Sequence, residues 1–458
     1  MRILSIPPLL AAMLAAGCSS TRDLEQVLDP YRAGQVERAA DLISSERFEE
    51  RRSSARDGVI WLLEEGKVLQ DAGRFEASER AFARADRRMR AFDHEAEISL
   101  SDEAAGLLAG PTQRAYRGHG WEKILLEIYR SLNALALGDL EEALVFSRRA
   151  FVRQGEALAA GADEIRAARR VARAQGVDPR AVLGQEHLQA LDEQVATRVS
   201  PAYADYANPM ASFLAALLAW IDGDEAGALV DLRKAAAMVP DHPTLEPLLA
   251  ELEARAPASG ADARVVVILE AGLAPVIAED SVTVHSMNGW SRLALPILSF
   301  HEREIAALSV ESPGASVRTV ALADVDAIVS ADFQRRLPGI VLRAVTAAVL
   351  KEAATTKLRH DHGDWGAALG SLWKIATASV DRRTWRTVGA QFQIAHLERP
   401  AAGILTLAAL DQNGGRHLVH EVELPESPVV VLLVRCPNLL SLQSHVLPTT
   451  PMEPTPQP

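Results

Sequence analysis

Only two cysteines stand in the 458 residues, Cys18 and Cys436. A zinc cluster built on cysteine is therefore excluded. Positive charge is in deficit. The chain has 48 Lys and Arg against 61 Asp and Glu, a formal net charge of -13. That balance argues against a general nucleic-acid binder, which needs a basic footprint. After the N-terminal run, no apolar stretch reaches the roughly 20 residues that span a bilayer. Several enzyme signatures are missing as well. There is no phosphate loop closing on Gly-Lys-Ser/Thr, no zinc-protease helix and no nucleophile elbow. No residue is given a catalytic or metal-ligating role, and no cofactor is expected. The remaining composition, 24% charged and 48% hydrophobic, is ordinary for a globular chain. The length suggests two or three domains.

What is present begins with one cation, Arg2, and an apolar run from Ile3 to Leu14. These form the n-region and h-region of a secretory signal. Pro7 and Pro8 sit inside the run, which is too short to cross a bilayer. Leu14-Ala15-Ala16-Gly17-Cys18 closes it and resembles the lipobox of bacterial lipoproteins. The resemblance implies cleavage after residue 17 and acylation of Cys18. It also implies an outer-membrane position facing the periplasm, because Ser19 replaces the aspartate that favours inner-membrane retention. The plainer alternatives are an ordinary signal peptide and an apolar N-terminal helix. If Cys18 is acylated, Cys436 has no partner for an internal disulfide.

From Leu24 to about Arg255 the sequence reads as helix throughout. A pattern recurs there. Gly73 is followed by Ser78 and Ala85, Gly138 by Ala143 and Ala150, Gly223 by Ala228 and Ala235. A fainter copy pairs Gly34 with Ala39. The glycine ends one helix in a left-handed cap. The small residue five positions on lets the next helix cross closely, and the alanine seven further on packs against the same partner. The pattern resembles the tetratricopeptide repeat, a helical hairpin that stacks into a solenoid. The tandem 34-residue period of that repeat is absent. Generic hairpins with capping glycines remain the alternative.

Composition shifts at Ala256-Pro-Ala-Ser-Gly260, a linker signal. Beyond it, β-branched runs predict strands at Arg264–Leu269, Ser281–His285, Arg292–Ser299, Ser316–Leu322, Gln391–Leu397, Gly403–Leu410, His417–Val422 and Val429–Arg435. A helix is predicted over Leu337–Leu358, with Pro338 in its first turn. The expected organisation is a signal peptide at 1–17, a helical domain of tetratricopeptide type at 18–255, an α+β domain at 262–445 and a proline-rich, disordered tail at 446–458.

Three local stretches carry residues capable of chemistry. Gly118-His-Gly-Trp-Glu-Lys123 has closely spaced glycines but no strand before it, so a nucleotide loop is not supported. Arg359-His-Asp-His-Gly-Asp364 offers two imidazoles and two carboxylates. No distant cluster completes a ligand set, and a solvated helix exit is the commoner meaning. Trp365–Val380 carries two tryptophans and a Gly-x-x-x-Gly spacing. It reads as a helix packed on the sheet, with a membrane-surface or partner-binding helix as the alternative.

Tyr116-Arg-Gly-His-Gly-Trp-Glu-Lys123, then Tyr129, Asn133, Leu137-Gly-Asp139, Ala143 and Arg148-Arg149, resemble an uncharacterised family of bacterial tetratricopeptide-containing lipoproteins. Leu269-Glu-Ala-Gly-Leu-Ala-Pro275, Leu295-Pro296 and Asp381-Arg-Arg-Thr-Trp385 extend the resemblance over most of the chain. Ser147 departs from the acidic residue expected before the paired arginines. Relatives in that family tend to be encoded near envelope lipoproteins that activate peptidoglycan synthases, so the resemblance implies a link to peptidoglycan synthesis. The expected function is a non-enzymatic protein–protein scaffold, held to the membrane by lipid at Cys18, with a periplasmic or outer-membrane protein as partner. Arg148, Arg149, Tyr129 and Trp121 are the candidate protein-binding residues. For the two arginines a solvated helix face is the plainer meaning. A ligand-binding or metal-dependent activity in the α+β part is the alternative function.

Overall fold

The computed structural model describes residues 22–93, 106–184, 193, 195–199, 201–253, 263–286 and 289–449. Cys18, the linker at 256–260 and residues 450–458 lie outside them. Among the described residues before 254 there is no strand. The main helices are α1 (22–32), α2 (Val36–Ser44), α3 (Gly58–Asp71), α4 (Phe75–Asp93), α5 (Gly120–Ala136), α6 (Leu140–Ala174), α7 (Pro209–Ile221), α8 (Glu225–Met238) and α9 (Leu245–Glu253).

Three hairpins, α3–α4, α5–α6 and α7–α8, turn on the glycines read from the sequence. Gly73, Gly138 and Gly223 have φ of 72°, 77° and 83°, a region that costs other residues a Cβ clash. The residue after each glycine closes a six-residue Schellman loop. Arg74 N donates to Leu69 O at 2.8 Å, Asp139 N to Ala134 O at 2.9 Å and Asp224 N to Ala219 O at 2.8 Å. Asp139 and Asp224 then cap the next helix, each accepting a backbone N–H three residues on at 2.9 Å. Ser78, Ala85, Ala143, Ala150, Ala228 and Ala235 are all fully buried. Their small size sets the helix separation. Ser78 Oγ reaches Gly66 O across the first crossing at 2.7 Å, and Ser131 Oγ reaches Ala143 O across the second at 2.8 Å.

The rest of the chain is mixed α and β. Its strands are β1 (Arg264–Ala271), β2 (Val276–Ser286), β3 (Gly289–Ser299), β4 (Ile305–Ser312), β5 (Ala315–Arg318), β6 (Val320–Asp324), β7 (Gln391–Glu398), β8 (Ile404–Asp411), β9 (Arg416–Glu423), β10 (Val429–Asn438) and β11 (Ser441–Leu447). They form a five-stranded sheet ordered β11-β10-β1-β7-β6, a four-stranded sheet ordered β5-β4-β8-β9 and the β2–β3 hairpin. β1 and β10 are parallel and the other pairs antiparallel.

Period-two alternation divides the five-stranded sheet between two cores. Val266, Ile268, Phe392, Ile394, Val431 and Leu433 face the helices and join one cluster with Tyr31, Trp61 and Tyr129. Val265, Val267, Leu269, Val430, Leu432 and Val434 face the four-stranded sheet. The order of layers is helices, five-stranded sheet, four-stranded sheet. The helical part and the sheet part thus share one apolar cluster.

Several expectations need correction. Ser316–Leu322 is two strands, β5 and β6, on either side of Thr319. The Thr319 N–H still donates to Leu308 O at 2.9 Å, but its side chain, which donates to Gln393 at 2.6 Å, replaces the carbonyl as acceptor for Leu308 N at 2.8 Å. β4 and β11 were not anticipated; β11 runs to Leu447, two residues into the expected tail. The helix predicted at Leu337 begins at Val325 and forms α10 (Val325–Thr377), with Pro338 in its interior. Buried Phe333, Leu337, Val341 and Leu342 hold the helix on both sides of the proline, which overrides its local penalty. α10 doubles back at Gly363, φ 62°. Lys374 pairs with Glu352 at 2.7 Å, and an added Cβ on Gly370 would meet Thr355 at 2.4 Å. After the reversal, Gly370 and Lys374 therefore lie against the first limb of α10.

Candidate functional site

The densest chemistry lies where the helical layer meets the five-stranded sheet. α3 is buried all round, although it carries Glu64, Glu65, Lys67, Gln70 and Asp71. Lys67 Nζ pairs with Asp71 and, at 2.9 Å, with Glu270 on β1. Its ammonium also sits 4.9 Å from the centre of the Tyr129 ring. Tyr129 OH donates to Glu270 at 2.7 Å, and Tyr31 OH donates to Asp71 at 2.8 Å. Arg435 on β10 is the register partner of Glu270. Its guanidinium donates to the carbonyls of Glu270 at 3.0 Å, Gly272 at 2.8 Å and Thr387 at 3.0 Å. Burial pushes the Glu270 carboxyl up, but Lys67 and Arg435 more than offset it and hold it below its ordinary value. Burial pushes both tyrosine hydroxyls well up.

Between helices and sheet runs a strap without regular structure, residues 378–390. Thr384, Trp385, Thr387 and Val388 in it are buried. A buried backbone without a ladder must find other partners. Here glutamates supply them. Glu122 on α5 accepts from Trp385 N at 2.9 Å. Glu64 accepts from Arg386 N at 2.8 Å, Thr387 N at 3.2 Å and Thr387 Oγ1 at 2.7 Å. Glu270 accepts from Gly389 N at 2.5 Å. At the flanks, Arg383 pairs with Asp57 at 3.0 Å and Asp381 at 2.7 Å, and Arg386 pairs with Glu25. Trp385 fills the space between Phe82 and Tyr129, with edge contacts at 5.7 and 5.4 Å between ring centroids. The Asp381–Trp385 motif is thus the start of this strap. Burial raises the Glu64 carboxyl and brings Glu122 up to about 7, although Glu122 also accepts from Tyr116 OH and His119 N.

The four candidate binding residues separate. Tyr129 and Trp121 are 0% and 1% exposed. Both belong to the shared core, so neither presents a surface to a partner. Arg149 is 27% exposed and turns inward, reaching Asp86 and Glu127 at 2.9 Å each. Arg153 and Arg130 complete that ion cluster. Arg148 is exposed, between Val145 and Val152 at 47% and 59% exposure. Of the His360–Asp364 stretch, His360 and Asp361 are exposed; the side chains of His362 and Asp364 lie outside those described. Among the described residues, no three His, Cys, Asp or Glu side chains group at metal-binding spacing, and no helix is long and apolar enough to cross a membrane. Cys436 is buried and unpaired.

Sequence reasoning missed Lys67, Asp71, Glu64, Glu122, Glu270 and Arg435. Two of them carried a signal. Glu270 continues the helix-facing stripe Val266, Ile268, and Arg435 continues Val431, Leu433. A charge in step with a buried stripe marks a buried pair. Comparison of the chain with protein-family models, curated proteins and solved structures finds no match in any of the three.

Proposed function

We propose that the protein is a lipid-anchored scaffold of the bacterial envelope, held at Cys18 to the periplasmic face of the outer membrane, binding another envelope protein without turning over a substrate. One observation carries the scaffold reading. Three hairpins repeat one register of left-handed glycine, buried small residue and buried alanine, the arrangement that tetratricopeptide modules use to present helix faces to partners. The apolar run ending at Cys18 supports the anchor. The inner side of the α3–α4 and α5–α6 hairpins is filled by the strap and the sheet, so the partner surface is assigned to the outer side of α6. There Val145, Arg148 and Val152 share one helical face. Cells carrying a photo-crosslinking residue at position 148 should yield a discrete adduct with an envelope protein. The same probe at Lys357, on the α10 arm, serves as the control. Equal adducts from both positions, or none from 148, would count against this surface. Release of the protein from membranes should follow Cys18→Ser, and unchanged membrane retention would remove the anchor.

A further inference from the structure

α6 outruns the layer it belongs to. Ala157 lies level with the start of α5, where an added Cβ on Gly120 would come within 2.9 Å of its side chain. The helix continues to Ala174, about 25 Å further at 1.5 Å per residue. Along this extension Arg166, Arg169, Arg170 and Arg173 recur on consecutive turns, all exposed. Arg166 pairs with Asp163. Among the described residues, no hydrogen bond or ion pair reaches the side chains of Arg169, Arg170 or Arg173. The helix macrodipole favours a cation in the last turn, which accounts for Arg173 but not for those upstream. Four arginines in one stripe are a local reversal of sign in a chain of net charge -13.

The N-terminus leaves the helical layer at the same end. Asp23 accepts from Arg51 at 2.6 Å, and Gln26 accepts from Arg47 at 2.5 Å. Arg52 O accepts from Arg88 at 2.7 Å, and Arg56 O accepts from Tyr116 N at 2.8 Å. These contacts bring the start of α1, the turn before α3, the end of α4 and the start of α5 together. α6 projects from that end with one face packed on the first limb of α10, where Ala168 and Ala172 meet Leu337 and Val341 and Glu164 pairs with Arg336 and Arg343. Cys18 precedes Arg22 by four residues, and an extended chain reaches at most about 3.6 Å per residue. The tether to the lipid is then about 14 Å or less, shorter than the projection of α6. An anchored molecule cannot hold that projection clear of the headgroups if it points toward the bilayer. It meets them end-on or lies along them.

We propose that the Arg166–Arg173 stripe of α6 docks on an anionic phospholipid surface, with headgroup phosphates as its ligands. The reach of the tether depends on the anchor at Cys18; the charge of the stripe does not. Guanidinium groups bind phosphate oxygens in forked pairs and are weakly hydrated, so an exposed row of them suits a phosphate-bearing plane. The docked stripe would fix the rotation of the molecule about its lipid tether, and with it the direction in which Val145 and Arg148 face.

The test uses the whole mature chain from Ser19, unlipidated, sedimented with phosphatidylcholine vesicles with and without phosphatidylglycerol. Binding is expected only to the anionic vesicles, and it should weaken as salt rises. The R169E/R170E/R173E variant should bind at least about a hundredfold more weakly, since loss of each arginine near an anionic surface alone costs roughly a factor of five. R169Q/R170Q/R173Q serves if charge reversal disturbs folding, and should lose nearly as much. Equal binding to both vesicle types overturns the proposal. So does unchanged binding of the variants, or a loss confined to a protein crosslink. Incorporation of labelled palmitate by wild type and by Cys18→Ser is scored separately. Its failure removes the anchor while the vesicle result still reads the stripe.

Discussion

The inner and outer faces of the helical layer carry charge in opposite ways. On the inner face Glu64, Lys67, Asp71 and Glu122 are buried, and each meets a partner from the strap, from its own layer or from the sheet. On the outer face of α6, Arg148 stands in solvent between two exposed valines. The contrast is sharpest across one peptide bond. Arg149 closes an ion cluster with Asp86 and Glu127, whereas Arg148 points outward. A helix turns about 100° per residue, so neighbours in sequence fall on different faces. A pair of arginines that looks like one motif is two residues with separate tasks, one in the fold and one on the surface.

The largest expected effect lies on the inner face. Lys67→Met removes the cation shared by Asp71 and Glu270 and leaves two buried carboxylates short of a partner. Breaking a buried pair in this way costs about 3–5 kcal/mol, read as a large drop in the melting temperature. Wild-type stability would mean that the charges there are not structural. Next comes the helix crossing. Ala143→Leu or Ala228→Leu overpacks a fully buried contact and should cost about 1–3 kcal/mol. A melt that superimposes on wild type would show that the hairpins are not closely packed.

The arginine pair gives a smaller and more discriminating effect. Arg149→Ala should destabilise by about 1 kcal/mol, discounted for its partial exposure. Arg148→Ala should stay within about 0.5 kcal/mol of wild type. Equal losses would erase the distinction between the two faces. The remaining effect is a slope with pH. Burial raises the Glu122 carboxyl from the ordinary 4.5 to about 7. As pH rises, the unfolded chain gives up this proton first, so stability falls from about pH 4.5 to pH 7. Glu65, raised to about 7 by burial, acts in the same direction. Glu122→Gln cannot lose a proton and should flatten that slope in urea melts. An unaltered slope would place its origin elsewhere.

The helical layer was legible because its signals are local. A glycine, a small residue five positions on and an alanine seven beyond that state a turn and a crossing within one hairpin. Most strands were legible for the same reason, since alternation is a property of a few neighbouring residues. β11, with His445 and Gln443 in its middle, offers no such run. Pro338 misled because its preference for a first turn is local, while the packing that holds it inside α10 comes from distant residues. The helix–sheet junction was illegible for a related reason. Glu122 and Trp385 meet across 263 positions and Tyr31 and Arg435 across 404, and nothing near either residue in sequence announces the other. Burial of Trp121 and Tyr129 was hidden likewise, because α5 is covered on several sides by elements that come much later in the chain.

Over the buried part of the strap, from Trp385 to Gly389, Glu64, Glu122 and Glu270 stand in for a hydrogen-bond ladder and so close the inner face. Residue-resolved hydrogen exchange tests it most directly. The amides of Trp385, Arg386, Thr387 and Gly389 should exchange as slowly as those of β1, from Val266 to Leu269, although the strap has no regular structure. Glu64→Gln and Glu122→Gln should speed the strap amides and leave β1 unaffected. Strap amides that exchange as fast as those of the exposed turn at 412–415 would contradict the claim, and the inner face would then be open to a partner.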